Sequence, residues 1–333
     1  MSVFSVVARV AVTLLLLAAP GASTAACHGK DLLAGYSDAR KAALVGDAPY
    51  ATGNVWRATR GDASLTLIGT YHLPDPRFDA LMPRLTPLLR GADALLVEAG
   101  PKEEAALKSE MTSRPEILFL TEGPTLPERL DEPTWQALVK AVRARGIPPF
   151  LAAKMRPWYL TMLLSVPPCA RAEIKAAQSG GLDKRLIAAA RARGIPVRAL
   201  EPHDTALRAF DAIPFPARLD MLRATVATDG NAADLLATTA SAYFAGQHRL
   251  IWAFSQHLAV TGSGLPPGRG RAAYAQIDRH LVTDRNRAWI PVLERAAAGH
   301  HVVAAFGAGH LGGRDGVLNL LHRAGFTLTR LEP

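Results

Sequence analysis

Two short stretches of the 333-residue chain restrict its fold more than any bulk property does. In "LTLIGTYHLPDPR" a run of β-formers ends at Gly69, and His72 stands three residues on. Near the C-terminus "HVVAAFGAGHLGG" repeats the device with Gly307 and His310. Glycine at a strand end lets the backbone turn tightly and leaves room beside it. Each turn precedes a helical pattern and then a second strand. These are Phe78–Leu89 and Ala94–Glu98 in the first case, "GRDGVLNLLHRAG" and "FTLTRLEP" in the second. Carboxyl ends of sheet strands are where α/β proteins build sites. The matched turns therefore predict an α/β fold in which two imidazoles face one another.

The remaining pattern fills in this frame. "GNVWRATR", a turn at "GDAS" and "LTLIGTYH" read as a β-hairpin. Residues 101–180 are mainly helical in pattern, with Asp131 and Thr134 as helix-start residues and Gly146 as a stop. "GLDKRLIAAARARGIPVRALEP" gives a helix, Gly194, and a strand Val197–Leu200 ending in Glu201. Residues 203–298 are helical again, broken by "DAIPFPA" and by "TGSGLPPGRG", the latter read as an exposed loop. The expected architecture is a central mixed sheet formed by N- and C-terminal βαβ-like units, with a largely helical middle at about 101–298.

Composition excludes some classes. An apolar share of 49% and a charged share of 20% are those of a folded globular chain rather than a disordered one. Lys and Arg exceed Asp and Glu, 38 against 29, but the positives are scattered over helix-like stretches such as "VKAVRARGIP". Without a dense basic run or a recognised nucleic-acid motif, no nucleic-acid partner is expected.

The N-terminus reads as an export signal. Arg9 precedes an apolar stretch from Val10 to Ala19, then Pro20-Gly21 and small residues. That stretch is short of the roughly 20 apolar residues needed to span a bilayer. Removal of residues 1–26 leaves 27–333 as one domain, secreted or periplasmic, beginning at Cys27. Lipid anchoring at Cys27 is the less favoured alternative, because Thr24 stands where lipoprotein signals usually carry Leu. Cys27 and Cys169 are the sole cysteines, and in an oxidising compartment such a pair is most simply a disulfide. Closing so long a loop is worth on the order of 4–5 kcal/mol in the chain-entropy model.

Two carboxylates share the strand-end context of the histidines: Glu98 ends "LLVEAG" and Glu201 ends "VRALEP". A carboxylate directly after apolar strand residues is costly to bury unpaired. It is either locked in an ion pair with an Arg or used as a ligand or base. Imidazoles with carboxylates suit a divalent Mn, Co or Zn that activates water. In "TDRNRAW", Arg285 and Asn286 are either a solvated helix face or partners of a site carboxylate and another polar group. There is no H-E-x-x-H, no G-x-S-x-G and no Walker loop. His248, His257, His280, His300, His301 and His322 show no ligand-like pairing and are read as structural or surface residues.

With these residues in view, the sequence resembles the TraB/GumN family, which includes the Tiki-type metalloproteases. The resemblance runs from about Cys27 to Glu332. It rests on "CHGKDLL", "LIGTYHLPDPR", "LLVEAG", "MRPWYL", "GLDKRL" with "ALEP", "DRNRAW" and "FGAGHLGGRDGVLNLLHRAGF", in that order. It implies a fold like the erythromycin esterase/ChaN group, with His72, His310 and Glu98 as the candidate site and Arg285 and Asn286 as further members. Tiki-like members resemble metal-dependent proteases; TraB-type members are linked to peptide pheromone shutdown, and GumN to exopolysaccharide genes. The leading expectation is a secreted metal-dependent hydrolase acting on a peptide or another small polar substrate. In it His72, His310 and Glu98 hold the ion, Glu98 doubles as base, and Arg285 and Asn286 assist, with Glu201 as an additional member. The alternatives are a non-catalytic ligand-binding protein of the cell envelope and a metal-free His/Glu esterase.

Overall fold

The hairpin forms as the sequence predicts, because two apolar runs flank a turn that needs glycine. The computed structural model describes residues 27–177 and 180–332, so the expected signal segment lies outside the described residues. Strand β1 (Val55–Arg60) pairs antiparallel with β2 (Ala63–Thr70) through Gly61-Asp62, where Gly61 takes a φ of 59°. The strands β3 (Ala94–Val97), β4 (Val197–Ala199), β5 (His301–Gly307) and β6 (Thr327–Arg330) complete one six-stranded sheet, in the order β4-β3-β5-β2-β1-β6. The four strands from β4 to β2 run parallel, so their carboxyl ends lie along one edge.

Burial explains why those strands are continuous apolar runs rather than alternating ones. Leu65, Thr66, Leu67 and Ile68 are all fully buried, as are Val303, Ala304 and Phe306. Consecutive buried residues mean that both sheet faces are covered, as parallel sheets require. The cover includes the helices Phe78–Leu85, Leu182–Arg191, Asp284–Ala297 and Val317–Arg323, through Phe78, Leu186, Trp289, Leu293 and Leu318. Trp289 and Phe306 pack with ring centroids 5.4 Å apart.

The mirror symmetry of the two His turns holds for strand, turn and helix and then fails. The strand after the first unit, β3, inserts beside β5. The strand after the second, β6, pairs antiparallel with β1 at the opposite edge. Composition accounts for this: "ALLV" is buried at every position, whereas "TLTR" leaves all but Leu328 exposed.

The helical middle carries a second core. Leu138 and Val142 from Glu132–Ala144, Leu160 and Leu164 from Pro157–Leu164, and Leu222 from Phe215–Ala227 close on one another. Asp131 caps the first of these, accepting from the Thr134 N–H. One expectation needs correction. The Gly/Pro-rich "TGSGLPPGRG" is a loop only in its first half, because Pro267 opens the helix Pro267–Ile277. Proline at a first helical position lacks only an N–H that would have been unpaired anyway.

Cys27 and Cys169 form the expected disulfide, 142 positions apart. Such a bond fits an oxidising, extracytoplasmic setting. Among the described residues no helix is long and apolar enough to cross a membrane.

Candidate functional site

Each of the four parallel strands delivers one or more polar residues to the shared carboxyl edge. His72 follows β2, Glu98 follows β3, Glu201 follows β4, and β5 ends at Gly307 before the short turn Ala308–His310. Thr70 stands opposite Gly307 in register, and Val97 opposite both Ala305 and Ala199. The register therefore aligns the four strand ends.

His72 is held from behind. Its Nδ1 lies 3.2 Å from Asp183 Oδ1, which fixes the proton on Nδ1 and leaves the Nε2 lone pair free. Asp183 sits in the first turn of Leu182–Arg191, and the Leu182 N–H donates to the Tyr71 carbonyl. A Cβ on Gly181 would overlap the His72 carbonyl, so only glycine lets this helix start so close to the turn. The His72 side chain is 60% exposed, and its Nε2 faces Glu98 Oε1 at 3.8 Å. Desolvation in the cleft pulls its pKa down. The Asp183 hydrogen bond and the charges of Glu98 and Asp183 outweigh that, so the net shift is upward.

Glu98, Glu201 and Arg285 form a tight group. Arg285 Nη2 donates to Glu98 Oε2 at 2.6 Å and to Glu201 Oε1 at 2.5 Å. Its Nε reaches Glu201 Oε2 at 3.1 Å. Glu98 Oε1 accepts from the Gly307 N–H at 2.6 Å, and Glu201 Oε2 from Trp289 Nε1 at 2.8 Å. Burial pushes the Glu98 carboxyl up, but His310, His72, Arg285 and the Gly307 N–H hold it down at about 2. Glu98 is thus a carboxylate at any ordinary pH. Arg285 leads off Asp284–Ala297 after a π-helical stretch, Asp278–Thr283, and its Nη1 donates to the Leu281 carbonyl.

His310 is the opposite of His72. It is 7% exposed, and its Nδ1 donates to Asn286 Oδ1 at 2.6 Å. Asn286 is fully buried and is itself fixed by donating to the Asp315 carbonyl at 2.8 Å. The His310 Nε2 faces Arg285 Nη1 at 3.4 Å, and Trp289 covers the ring at 4.6 Å. Burial drives its pKa down to about 4, against the pull of Glu98 and with help from Arg285 and His72.

This arrangement bears on the expected ion. Three converging lone pairs are needed for a catalytic zinc-type site. His72 Nε2 is free, but the Glu98 oxygens are engaged by Gly307 and Arg285, and His310 Nε2 points at a guanidinium. Among the described residues no group of three or more His, Cys, Asp or Glu side chains has metal-holding geometry. The donor set does not fit the ion as a three-ligand site, because Arg285 already supplies positive charge between the carboxylates.

Comparison with known proteins identifies the family. The model of the TraB/PrgY/gumN family matches residues 54–330. The chain belongs to the TraB/PrgY/gumN family. Two curated relatives, each named uncharacterized protein YbaP, come from Escherichia coli K12 and Shigella flexneri. Each is 27% identical over 289 residues, covering 83% of this chain and 99% of the relative. All the strand-end residues, Asp183 and Asn286 fall inside the span matched by the TraB/PrgY/gumN family.

Sequence reasoning named His72, Glu98, Glu201, Arg285, Asn286 and His310, which the structure brings to one edge, and it missed Asp183, Trp289 and the role of the Gly307 N–H. Asp183 reads in sequence as an ordinary acid in a helix's first turn, where it complements the helix dipole. Trp289 lies four residues after Arg285, hence on the same helix face, and that spacing was the available signal. Gly307 serves through its N–H and through its missing side chain. A Cβ there would come within 3.0 Å of His72 Nε2 and 3.2 Å of Glu98 Oε1.

Proposed function

We propose that the chain is an extracytoplasmic hydrolase of carbonyl substrates, a peptide bond first among them, using His72 as general base beside ionised Glu98. The carrying observation is the free Nε2 of His72, aimed past Glu98 Oε1 while Asp183 holds Nδ1. The reading treats residues 27–333 as one exported domain with the cleft at its sheet edge.

A water between His72 Nε2 and Glu98 Oε1 loses its proton to Nε2, and its oxygen bonds to the substrate carbonyl carbon. Asp183 and Glu98 carry the counter-charge for the imidazolium. The carbon–leaving-group bond then breaks, and the Nε2 proton passes to the departing nitrogen or oxygen. Gly307 keeps the space beside Nε2 open for the reacting carbonyl. Arg285 is engaged by Glu98, Glu201 and the Leu281 carbonyl, so it positions carboxylates rather than touching substrate. Asn286 does the same for His310.

The test is a screen of peptide and ester libraries with the mature protein, with and without chelator, alongside His72→Ala and elemental analysis. The expected result is turnover lost in the variant and unchanged by chelation. Turnover that needs a stoichiometric Mn, Co or Zn would restore the metalloenzyme reading. Saturable ligand binding without turnover would assign the cleft to a binding protein.

A further inference from the structure

One apolar cavity lies away from this chemistry. About 240 Å³ in volume, it lies among the helices Phe215–Ala227, Ala232–Phe244, His248–Thr261 and Pro267–Ile277, and none of the strand-end residues lines it. Its wall carries six Ser and Thr residues, and every one donates to a carbonyl of its own helix. Thr161 donates to Pro157, Thr225 to Met221, Thr228 to Ala224, Thr238 to Asp234, Thr239 to Leu235 and Ser255 to Ile251. The Tyr274 hydroxyl is likewise spent on the Trp252 carbonyl. The sole charged group on the wall, Asp220, is neutralised by Arg223 and Arg269.

A cavity with its donors turned inward has nothing to offer an anion or a carbonyl. What remains is methyl groups with Phe254, Leu258, Leu265 and Ile277. An apolar cavity of about 150 Å³ stays dry and takes up benzene. This one is larger and reaches the surface beside exposed Ser255. From this geometry we infer that the cavity is a binding site for one alkyl chain, its polar head left in solvent at the mouth. It is separate from the His72 cleft.

The experiment titrates the full mature chain with decan-1-ol by calorimetry, following the thermal midpoint in parallel. Saturable binding that raises the midpoint is expected, and His72→Ala must leave it intact, which separates this site from the hydrolase reading. Ala224→Phe fills the cavity and should weaken binding by about tenfold or more. Thr239→Val keeps the shape, makes the wall more apolar and should bind at least as tightly, so the inference does not depend on how the larger variant folds. Co-sedimentation with phosphatidylglycerol vesicles, lost in Ala224→Phe, would assign the chain to a membrane lipid; binding of free decan-1-ol alone would assign it to a soluble amphiphile. No saturable binding by the native protein, or equal binding by a folded Ala224→Phe, would overturn the inference. So would dimerisation abolished by that substitution, which would make the cavity a self-interface.

Discussion

The two His turns begin alike in sequence and end in opposite chemical states. His72 is exposed, backed by a carboxylate and shifted toward the charged form. His310 is buried, backed by the Asn286 amide and the face of Trp289, and held neutral down to about 4. The partner behind Nδ1 and the water around the ring decide the outcome, since a carboxylate stabilises an imidazolium and burial opposes it. A shared motif therefore specifies where a histidine stands, whereas its neighbours specify what it does.

Deleting each ring should separate the two roles most sharply. His72→Ala should cost about 10²–10⁴ in turnover, the range of a lost general base, with an unfolding midpoint near that of the native protein. His310→Ala leaves Asn286 Oδ1 unpaired in the interior and should cost about 1–3 kcal/mol of stability. Equal stability losses in denaturant titrations would erase the contrast. Arg285→Met removes the cation between Glu98 and Glu201 and should destabilise by about 3–5 kcal/mol, as breaking buried ion pairs does. Chemical unfolding at neutral pH reads this directly.

The contrast also makes a statement about acid. His310 and His248 are both held down at about 4 by burial, below the ordinary 6.5. The unfolded chain then binds their protons first. Their contribution is fully present above 6.5 and is lost as pH falls from 6.5 through 4, up to about 3 kcal/mol for each. His72, shifted upward, works in the other direction, adding stability below 6.5 that fades as pH rises through its raised pKa. Unfolding free energies at pH 7 and 4.5 should fall accordingly, and less steeply in His310→Gln. A flat profile would mean that His310 is not buried neutral.

Smaller effects sharpen the His72 side. Asp183→Asn removes the counter-charge, so the acid limb of turnover should move to lower pH with little change in stability. Gly307→Ala places a methyl beside Nε2 without forbidden backbone, and should lower turnover by about tenfold through displaced substrate, with the fold intact.

Much of the frame was legible because apolar runs ending in Gly or Glu are unmistakable strand ends. The hairpin, β3, β4, β5, His72, Glu98, Glu201 and His310 were all readable in this way. The neighbouring pair Arg285-Asn286 was readable only as a choice between a solvated face and site partners. The sheet resolves it, because β3 and β4 bring Glu98 and Glu201 to within reach of one guanidinium. Asp183 was not legible: its role depends on Gly181 letting a helix start against the His72 carbonyl, a contact between segments far apart in sequence. Nor was the fate of β6, which follows from edge polarity once the central strands are filled. The loop expected across 261–270 failed at Pro267, where proline favours a helix start as readily as a turn.

The most direct test needs no substrate. Nuclear magnetic resonance titration of the imidazole rings, assigned with His72→Ala and His310→Gln, reads both protonation states in one sample. His72 should titrate above 6.5 as the Nδ1–H tautomer, and His310 should stay neutral until about pH 4. Two rings titrating together near 6.5, or His310 charging before His72, would contradict this contrast.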